Sequence, residues 1–271
     1  MALRAKTLLA ILGRDVRRSL SPMMHEAAGW HVGLDVAYLA CSVEDREHLS
    51  RAMHALRILG ARGANVTMPY KEAAFGLVDR HTPEASELGC VNTIRFDEGG
   101  MVGHNTDGAG LLRVLSTMPA RDRHRVQVLG AGGAARAAVW AARAFGAEVV
   151  VCARRPAEGL AARFGVKASP LAPVEGVTVV INTVPSRAVS VDRILSDWID
   201  VAAKPFLFDV SYDPDVEPAL VRAARAQGLL AEDGRRMLAE QGALSFAFWT
   251  GARVEPVREA MLRAVGRNGQ F

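Results

Sequence analysis

The stretch that most constrains the fold lies in the middle of the chain: Val126-Gln127-Val128-Leu129-Gly130-Ala131-Gly132-Gly133-Ala134-Ala135. Residues of strand-forming type run into a glycine turn, and the turn runs into an alanine-rich segment of high helix propensity. A strand that enters such a turn leads into a helix that crosses back over the sheet, since parallel neighbours cannot be joined by a hairpin. Each small residue has its own duty. Gly130 permits the tight turn, Gly132 lets a pyrophosphate approach the backbone, and Ala135 lets the helix pack closely on the strand. The amides of Ala131, Gly133 and Ala134 complete a loop and helix N-terminus suited to a dinucleotide phosphate. A GxGxxA string alone also fits a plain strand-to-helix turn, so its surroundings carry the argument.

Those surroundings repeat the same rhythm. Strand patterns at residues 126–129, 148–152, 177–181 and 206–209 alternate with helix-length segments, which predicts a doubly wound parallel sheet of Rossmann type. Where an NAD enzyme usually carries Asp or Glu for the ribose hydroxyls, this chain reads Cys152-Ala153-Arg154-Arg155. An acidic group there would repel a 2′-phosphate, whereas guanidiniums bond to it and stack on adenine, so NADP(H) is favoured over NAD. The alternative is a pair of solvated arginines at a helix start.

The first hundred residues are α/β as well, with strands predicted at 7–12, 36–41, 63–66, 90–96 and 101–104. Helices are predicted at 22–33, with Ser21 as cap and Pro22 in the first helical position, at 43–59, from Lys71 to about Asp79, and from Thr106. The tail is helical from about Met237. At 271 residues the chain exceeds the usual single core of roughly 100–200, so two domains with a ligand crevice are expected. Half the residues are hydrophobic and 23% charged, the balance of a soluble globular protein. Thirty-three basic residues stand against 29 acidic ones without a long basic block, which argues against nucleic acid and suits an anionic substrate or cofactor. Cys41, Cys90 and Cys152 are far apart, lack CxxC pairing and read as buried thiols in a reducing compartment. The N-terminal apolar stretch is followed by Gly13-Arg14-Asp15 and reads as a first strand rather than a signal peptide. With no run of about 20 apolar residues to span a bilayer, a cytoplasmic protein without membrane contact is expected.

Three polar clusters fall at predicted strand ends, which in α/β units face the ligand. They are Ser19-Leu20-Ser21-Pro22, Asn65-Val66-Thr67-Met68-Pro69-Tyr70-Lys71, and Val91-Asn92-Thr93 with Asn105-Thr106-Asp107. Taken singly, each also reads as a cap or a turn. Together they supply hydroxyls and amides for a polyol, one lysine and one aspartate. Reducing a carbonyl requires a hydride and a proton for the developing alkoxide, and Lys71 beside Asp107 can supply that proton. The seven histidines show no metal-ligand spacing, so no metal is expected, and His25 and His104 read as structural.

With these motifs in place the chain resembles the shikimate dehydrogenase family from roughly residue 9 to 251. Ser19-Leu-Ser21-Pro-Met-Met-His25 resembles SxSPxxH, whose serines bind the substrate carboxylate in that family; Asn65-Val-Thr67-Met-Pro69-Tyr-Lys71 resembles NVTxPxK, which ends on the catalytic lysine. Gly89-Cys-Val-Asn92-Thr93 resembles GAxNT, and Gly103-His-Asn105-Thr106-Asp107-Gly-Ala-Gly110 resembles GxNTDxxG, whose aspartate partners the lysine. Asp209-Val210-Ser-Tyr212-Asp-Pro214 resembles DxxYxP, in which the tyrosine reaches substrate and the residue after the aspartate offers backbone to the nicotinamide. Gly234-Arg-Arg-Met237-Leu238-Ala-Glu-Gln241, continuing to Phe246, Trp249 and Gly251, resembles the closing segment whose glutamine binds substrate hydroxyls.

The resemblance implies reversible reduction of 3-dehydroshikimate by NADPH. Lys71 and Asp107 are then catalytic, and Ser19, Ser21, Thr67, Asn92, Tyr212 and Gln241 join them in holding substrate. The glycine loop with Arg154, Arg155, Val210 and Gly234 holds the cofactor. It also implies a substrate domain of residues 1–106 completed by 242–271, an NADP domain of 107–241, C-terminal helices packed back on the N-terminal half, and a monomer or homodimer. Three positions depart from the family pattern: Arg18 stands where His is usual, Asn182-Thr-Val-Pro185-Ser186-Arg187 lacks the usual Gly-Met, and Glu217 replaces Thr. A paralogue acting on quinate or aminoshikimate is the near alternative, and a non-catalytic NADP-binding regulator the distant one.

Overall fold

Alternation along the first strand builds two cores at once. In β1 (Thr7–Gly13), Ala10 and Leu12 face one side of a sheet and Leu9 and Ile11 the other, because successive strand side chains point to opposite faces. The computed structural model describes residues 6–118, 124–154, 157–185 and 189–266. It divides into two compact units, Met1–Gly110 with Leu238–Phe271, and Leu111–Met237.

In the first unit the chain runs through α1 (Ser21–His31), β2 (Val36–Ser42), α2 (Arg46–Ile58), β3 (Gly63–Val66), α3 (Lys71–Phe75), β4 (Arg80–His81), α4 (Pro83–Leu88), β5 (Thr93–Asp97) and β6 (Gly100–His104), then enters α5 (Asp107–Leu115). The strands form one mixed sheet in the order β2-β1-β3-β5-β6-β4. β1 pairs in parallel with β2 and β3, and the β5–β6 hairpin adds to β3 antiparallel. Below the sheet, Leu49, Met53 and Leu56 of α2 pack on Ala10, Leu12, Ala64 and Val66. The Asp45 side chain caps that helix by accepting the His48 amide proton at 2.8 Å.

The second unit alternates strand and helix: β7 (Arg125–Leu129), α6 (Gly133–Ala144), β8 (Glu148–Cys152), α7 (Glu158–Phe164), β9 (Lys167–Ser169), β10 (Val179–Asn182), α8 (Val191–Asp197), β11 (Phe206–Asp209), α9 (Ala219–Ala226) and β12 (Ala231–Glu232). All its strands are parallel, in the order β12-β11-β10-β7-β8-β9. β7 lies between β8, reached directly, and β10, reached after the chain has crossed back. The carboxyl ends of β7 and β10 are therefore the topological switch point, where ligands bind in open α/β sheets. Both faces of the sheet are covered, hence the near-continuous apolar strands. The exception, Gln127, lies at the centre and donates its amide protons to the carbonyls of Ala172 and Trp198, both at 2.9 Å.

The chain ends in α10 (Arg235–Thr250) and α11 (Val254–Val265). Phe246 and Trp249 of α10, with Val257 and Met261 of α11, cover the upper face of the first sheet against Leu9, Ile11, and Met24 and Ala28 of α1. The C-terminal helices thus return to the N-terminal half. Gly63 makes this packing possible: a Cβ there would lie 2.2 Å from Trp249 Nε1 and 2.5 Å from the Ile94 carbonyl oxygen. The indole N–H donates to that same carbonyl at 2.8 Å.

Several local expectations change. Ser21 is the first residue of α1 rather than its cap; Leu20 holds the cap position in helical conformation, and the Ser19 hydroxyl accepts the Ser21 amide proton at 3.2 Å. α1 ends at His31 and α3 already at Phe75 instead of near Asp79. Tertiary pairing overrides propensity there, because Asp79 N–H donates to the Met101 carbonyl and the Asp79 carboxylate accepts from Met101 N–H at 2.6 Å. β4, α4, β9 and β12 are short elements with no counterpart in the sequence pattern. β5 begins at Thr93 rather than Cys90. Cys90 and Cys152 are buried, but Cys41, on the edge strand β2, is only half-buried.

Candidate functional site

In the first unit, strand ends, the first residues of two helices and a third helix converge on a polar cluster. The turn after β3 leads through a cis Met68–Pro69 peptide into α3 and sets Lys71 as the first residue of that helix. Asn92 directly precedes β5, Asp107 is the first residue of α5, and Gln241 comes from α10. Lys71 Nζ donates to Asp107 Oδ2 at 2.6 Å, with the two side chains 17% and 8% exposed. At that burial the charges attract through far less solvent screening than on the surface. Asp107 Oδ1 accepts from Asn92 Nδ2 at 2.8 Å, so one carboxylate oxygen holds the lysine and the other is held by the amide. The Asn105 side chain accepts the Asp107 amide proton at 3.0 Å in a turn that leads into α5, which fixes where the carboxylate starts.

Gln241 Oε1 lies 3.3 Å from both Asn92 Nδ2 and Thr106 Oγ1, while its Nε2 donates to the Leu238 carbonyl at 2.8 Å. The structure therefore joins Lys71, Asp107, Asn92 and Gln241 in one network. Ser19, half-buried, stands in the loop after β1 and Ser21, buried, at the start of α1, with half-buried Thr67 in the loop after neighbouring β3. The Thr67 amide donates to the Leu12 carbonyl at 2.9 Å, which ties the loop after β3 to the end of β1. Thr93 and Thr106, from the third polar cluster of the sequence, join this network, and Ser245 enters it without having been singled out in the sequence. Ser245 Oγ lies 2.8 Å from Thr93 Oγ1 and 3.0 Å from Thr106 Oγ1. The available signal was its place one helical turn after Gln241.

The histidines differ in setting. His25 is wholly buried, stacked on Tyr38 with ring centroids 4.5 Å apart, and burial pushes its pKa down from 6.5 to about 3. His104 lies against Phe248 with the two rings tilted and bonds to Thr82 Oγ1 at 2.8 Å; burial lowers its pKa, against a smaller raising effect from Glu84.

The second unit carries the phosphate-type loop at its switch point. Gly130 has φ +111°, a conformation side chains disfavour, and a Cβ would lie 2.4 Å from Thr183 Oγ1. Its N–H donates to the Cys152 carbonyl at 2.8 Å, which locks the turn to β8. Ala131 and Gly132 are exposed and Gly133 and Ala134 half-buried. No side chain caps α6, and a Cβ at Gly132 or Gly133 would meet nothing within 4 Å. Free first-turn amides beside open space fit a dinucleotide pyrophosphate. Arg154 is exposed two residues past the end of β8, the place for a 2′-phosphate; Arg155, Ser186 and Arg187 lie outside the described residues.

After β11, the Val210 amide donates to the Asn182 carbonyl at 3.0 Å, and Gly234 packs so closely that a Cβ would lie 2.2 Å from the Val210 carbonyl oxygen. Asp209 Oδ1 accepts from the Ser211 amide and hydroxyl at 3.0 and 2.8 Å, and burial pushes its carboxyl above the usual range. Tyr212 follows in the same loop, half-buried. Among the described residues, no group of His, Cys, Asp and Glu could hold a metal, and no helix is long and apolar enough to cross a membrane.

The chain is similar to known proteins along nearly its whole length. Residues 11–94 match the family model described as the shikimate dehydrogenase substrate binding domain, and residues 234–265 match the shikimate 5'-dehydrogenase C-terminal domain. The chain is 39% identical to a shikimate dehydrogenase (NADP(+)) of Anaeromyxobacter sp., across 96% of this chain and 97% of that protein. It is similar to the crystal structure of the Thermus thermophilus shikimate 5-dehydrogenase in complex with NADP(H) and shikimate, with a TM-score of 0.80 and 37% identity over 95% of this chain and 99% of the other. It is also similar to a quinate dehydrogenase of Corynebacterium glutamicum in complex with NAD, with a TM-score of 0.77 and 29% identity over 95% and 99% of the two chains.

Proposed function

This chain belongs to the shikimate dehydrogenase family, and on that premise we infer which of its residues carry out the reversible, NADPH-dependent reduction of 3-dehydroshikimate to shikimate. The reaction belongs to the pathway that makes chorismate and the aromatic amino acids. NADP(H), when bound, supplies or accepts the hydride at the carbon that interconverts between ketone and alcohol. The chain's own task is to hold the ring and manage the proton. Lys71 donates a proton to the oxygen as the carbonyl becomes an alkoxide, and takes it back in the reverse direction. Asp107 keeps the ammonium at the reacting oxygen, and Asn92 keeps Asp107 from rotating.

Asn92, Thr67 and Gln241 offer amide and hydroxyl groups to the ring hydroxyls, Ser19 and Ser21 bind the carboxylate, and Tyr212 reaches the substrate from the segment after β11. Gly130 to Ala134 cradle the pyrophosphate, Arg154 and Arg155 pair with the 2′-phosphate, and Val210, braced by Gly234, offers backbone to the nicotinamide. The first unit, Met1–Gly110 with Leu238–Phe271 and so a few residues wider at each junction than the 1–106 with 242–271 expected from the sequence, serves as the substrate domain, and the second, Leu111–Met237, as the NADP domain.

The observation that carries this assignment is the buried 2.6 Å Lys71–Asp107 pair with Asn92 on the second carboxylate oxygen. It is tested by initial rates of NADP+ reduction with shikimate, against NAD+ and quinate, for wild type and Lys71→Ala. Removing a general acid–base is expected to lower kcat by about 10²–10⁴. A mutant at wild-type kcat would remove the lysine from the mechanism, and preferred turnover of quinate with NAD+ would reassign the substrate.

A further inference from the structure

The Lys71–Asp107 pair is the end of a longer series of side-chain bonds that begins on the edge strand β2. Two asparagines in that series each have two possible amide orientations, and a backbone group that cannot reverse decides each one. Asn92 Oδ1 receives the Thr106 amide proton at 2.9 Å, so the Asn92 Nδ2 protons are left to face Asp107 Oδ1 at 2.8 Å. Asn65 Nδ2 donates to the Asn92 backbone carbonyl at 3.0 Å, so Asn65 Oδ1 faces the Tyr38 hydroxyl at 2.7 Å, and the tyrosine must be the donor. Between the two amides, Thr93 Oγ1 accepts from Asn65 Nδ2 at 3.2 Å and donates to Asn92 Oδ1 at 2.8 Å. The donors therefore all point one way, from Tyr38 through Asn65, Thr93 and Asn92 to Asp107. All five residues are buried, so a broken bond is not replaced by water.

We propose that Tyr38 and Asn65 are positioning residues for the reaction, acting through Thr93 and Asn92 to hold the Asp107 carboxylate, and with it Lys71, in the orientation that proton transfer requires. The inference rests on the assignment of Lys71 and Asp107 given above. Its anchor is rigid: the Tyr38 ring lies on His25 with an interplanar angle of 9°, in a core shared with Phe246 and Trp249. The hydroxyl is thus presented from a fixed ring. Without its proton, the buried Asn65 Oδ1 loses its partner, the amide shifts toward the bonds its Nδ2 keeps to Asn92, Thr93 and Ser245, and the displacement passes along the series to the catalytic carboxylate. Small displacements of reacting groups are costly, because the barrier depends on alignment at the level of about 1 Å.

The test is steady-state kinetics of shikimate oxidation by NADP+ on the full chain. Tyr38→Phe deletes the hydroxyl and keeps the ring on His25; Asn65→Ala removes the next link. Tyr38→Phe is expected to lower kcat on the order of tenfold while the KM values for shikimate and NADP+ stay within about twofold, since the change moves the proton donor and not the binding groups. Because the two residues act in series, the double variant should be no slower than Asn65→Ala alone. Wild-type kcat in folded Tyr38→Phe, a loss confined to KM, or fully multiplicative losses in the double variant would each overturn the proposal. A wild type that does not turn over shikimate would overturn the assignment of the reaction itself, and the proposal with it.

Discussion

His25 contributes a part of the acid stability of this protein that can be worked out from one side chain. It is wholly buried among Tyr38, Phe246 and Trp249, and neither ring nitrogen has a hydrogen-bond partner. Removal from water penalises the charged ring and holds its pKa at about 3, against 6.5 when exposed. Between these values the unfolded chain binds a proton there that the folded chain refuses. The contribution of His25 to stability is therefore complete above pH 6.5 and is lost as the pH falls through the window from about 6.5 to 3. At pH 5 the window has been crossed by about 1.5 units, or roughly 2 kcal/mol at 1.36 kcal/mol per unit, whereas at pH 7.5 the effect is near zero. Urea denaturation of wild type and His25→Phe at both pH values isolates this amount. Phe cannot titrate, and any fixed packing cost of the larger ring is the same at both pH values and cancels in the difference of differences. Wild type should lose about 2 kcal/mol more than the variant on acidification. Parallel losses within ~0.5 kcal/mol would show that the folded protein accepts the proton, and would refute the reasoning.

Gly63→Ala should destabilise the fold by about 1–3 kcal/mol from overpacking, with up to ~1 more from weakening the Trp249–Ile94 bond, since its Cβ would intrude on both partners. A lower urea midpoint followed by tryptophan fluorescence checks this, and an unchanged midpoint would contradict the packing of α10 on β3. Arg154→Ala should raise KM for NADP+ about tenfold through loss of a charge-assisted bond, with kcat at saturation and KM for NAD+ little changed. Equal effects on the two cofactors would assign the arginine a role unrelated to the 2′-phosphate.

The sequence alone determined whatever depends on neighbours a few residues apart. The strand, glycine turn and helix around Gly130 were legible because the chemistry of that loop is local, and so was the alternation of strand and helix that follows it. The residues at the polar strand ends were legible as types, from Lys71 and Asp107 to Asn92. Their division of labour was not. That Asp107 offers one oxygen to Lys71 and the other to Asn92, that Ser245 meets Thr93 and Thr106 from a helix some 140–150 positions later, and that Tyr38 on an edge strand reaches Asn65 on β3 were decided only by tertiary packing. The same holds for α3, cut short at Phe75 because Asp79 is claimed by Met101, and for Ser21, displaced from its cap by the turn that Ser19 makes. Local preferences differ by about 1 kcal/mol or less per residue, whereas a buried polar group without a partner costs about 1–3 kcal/mol, so pairing between distant segments prevails wherever the two compete.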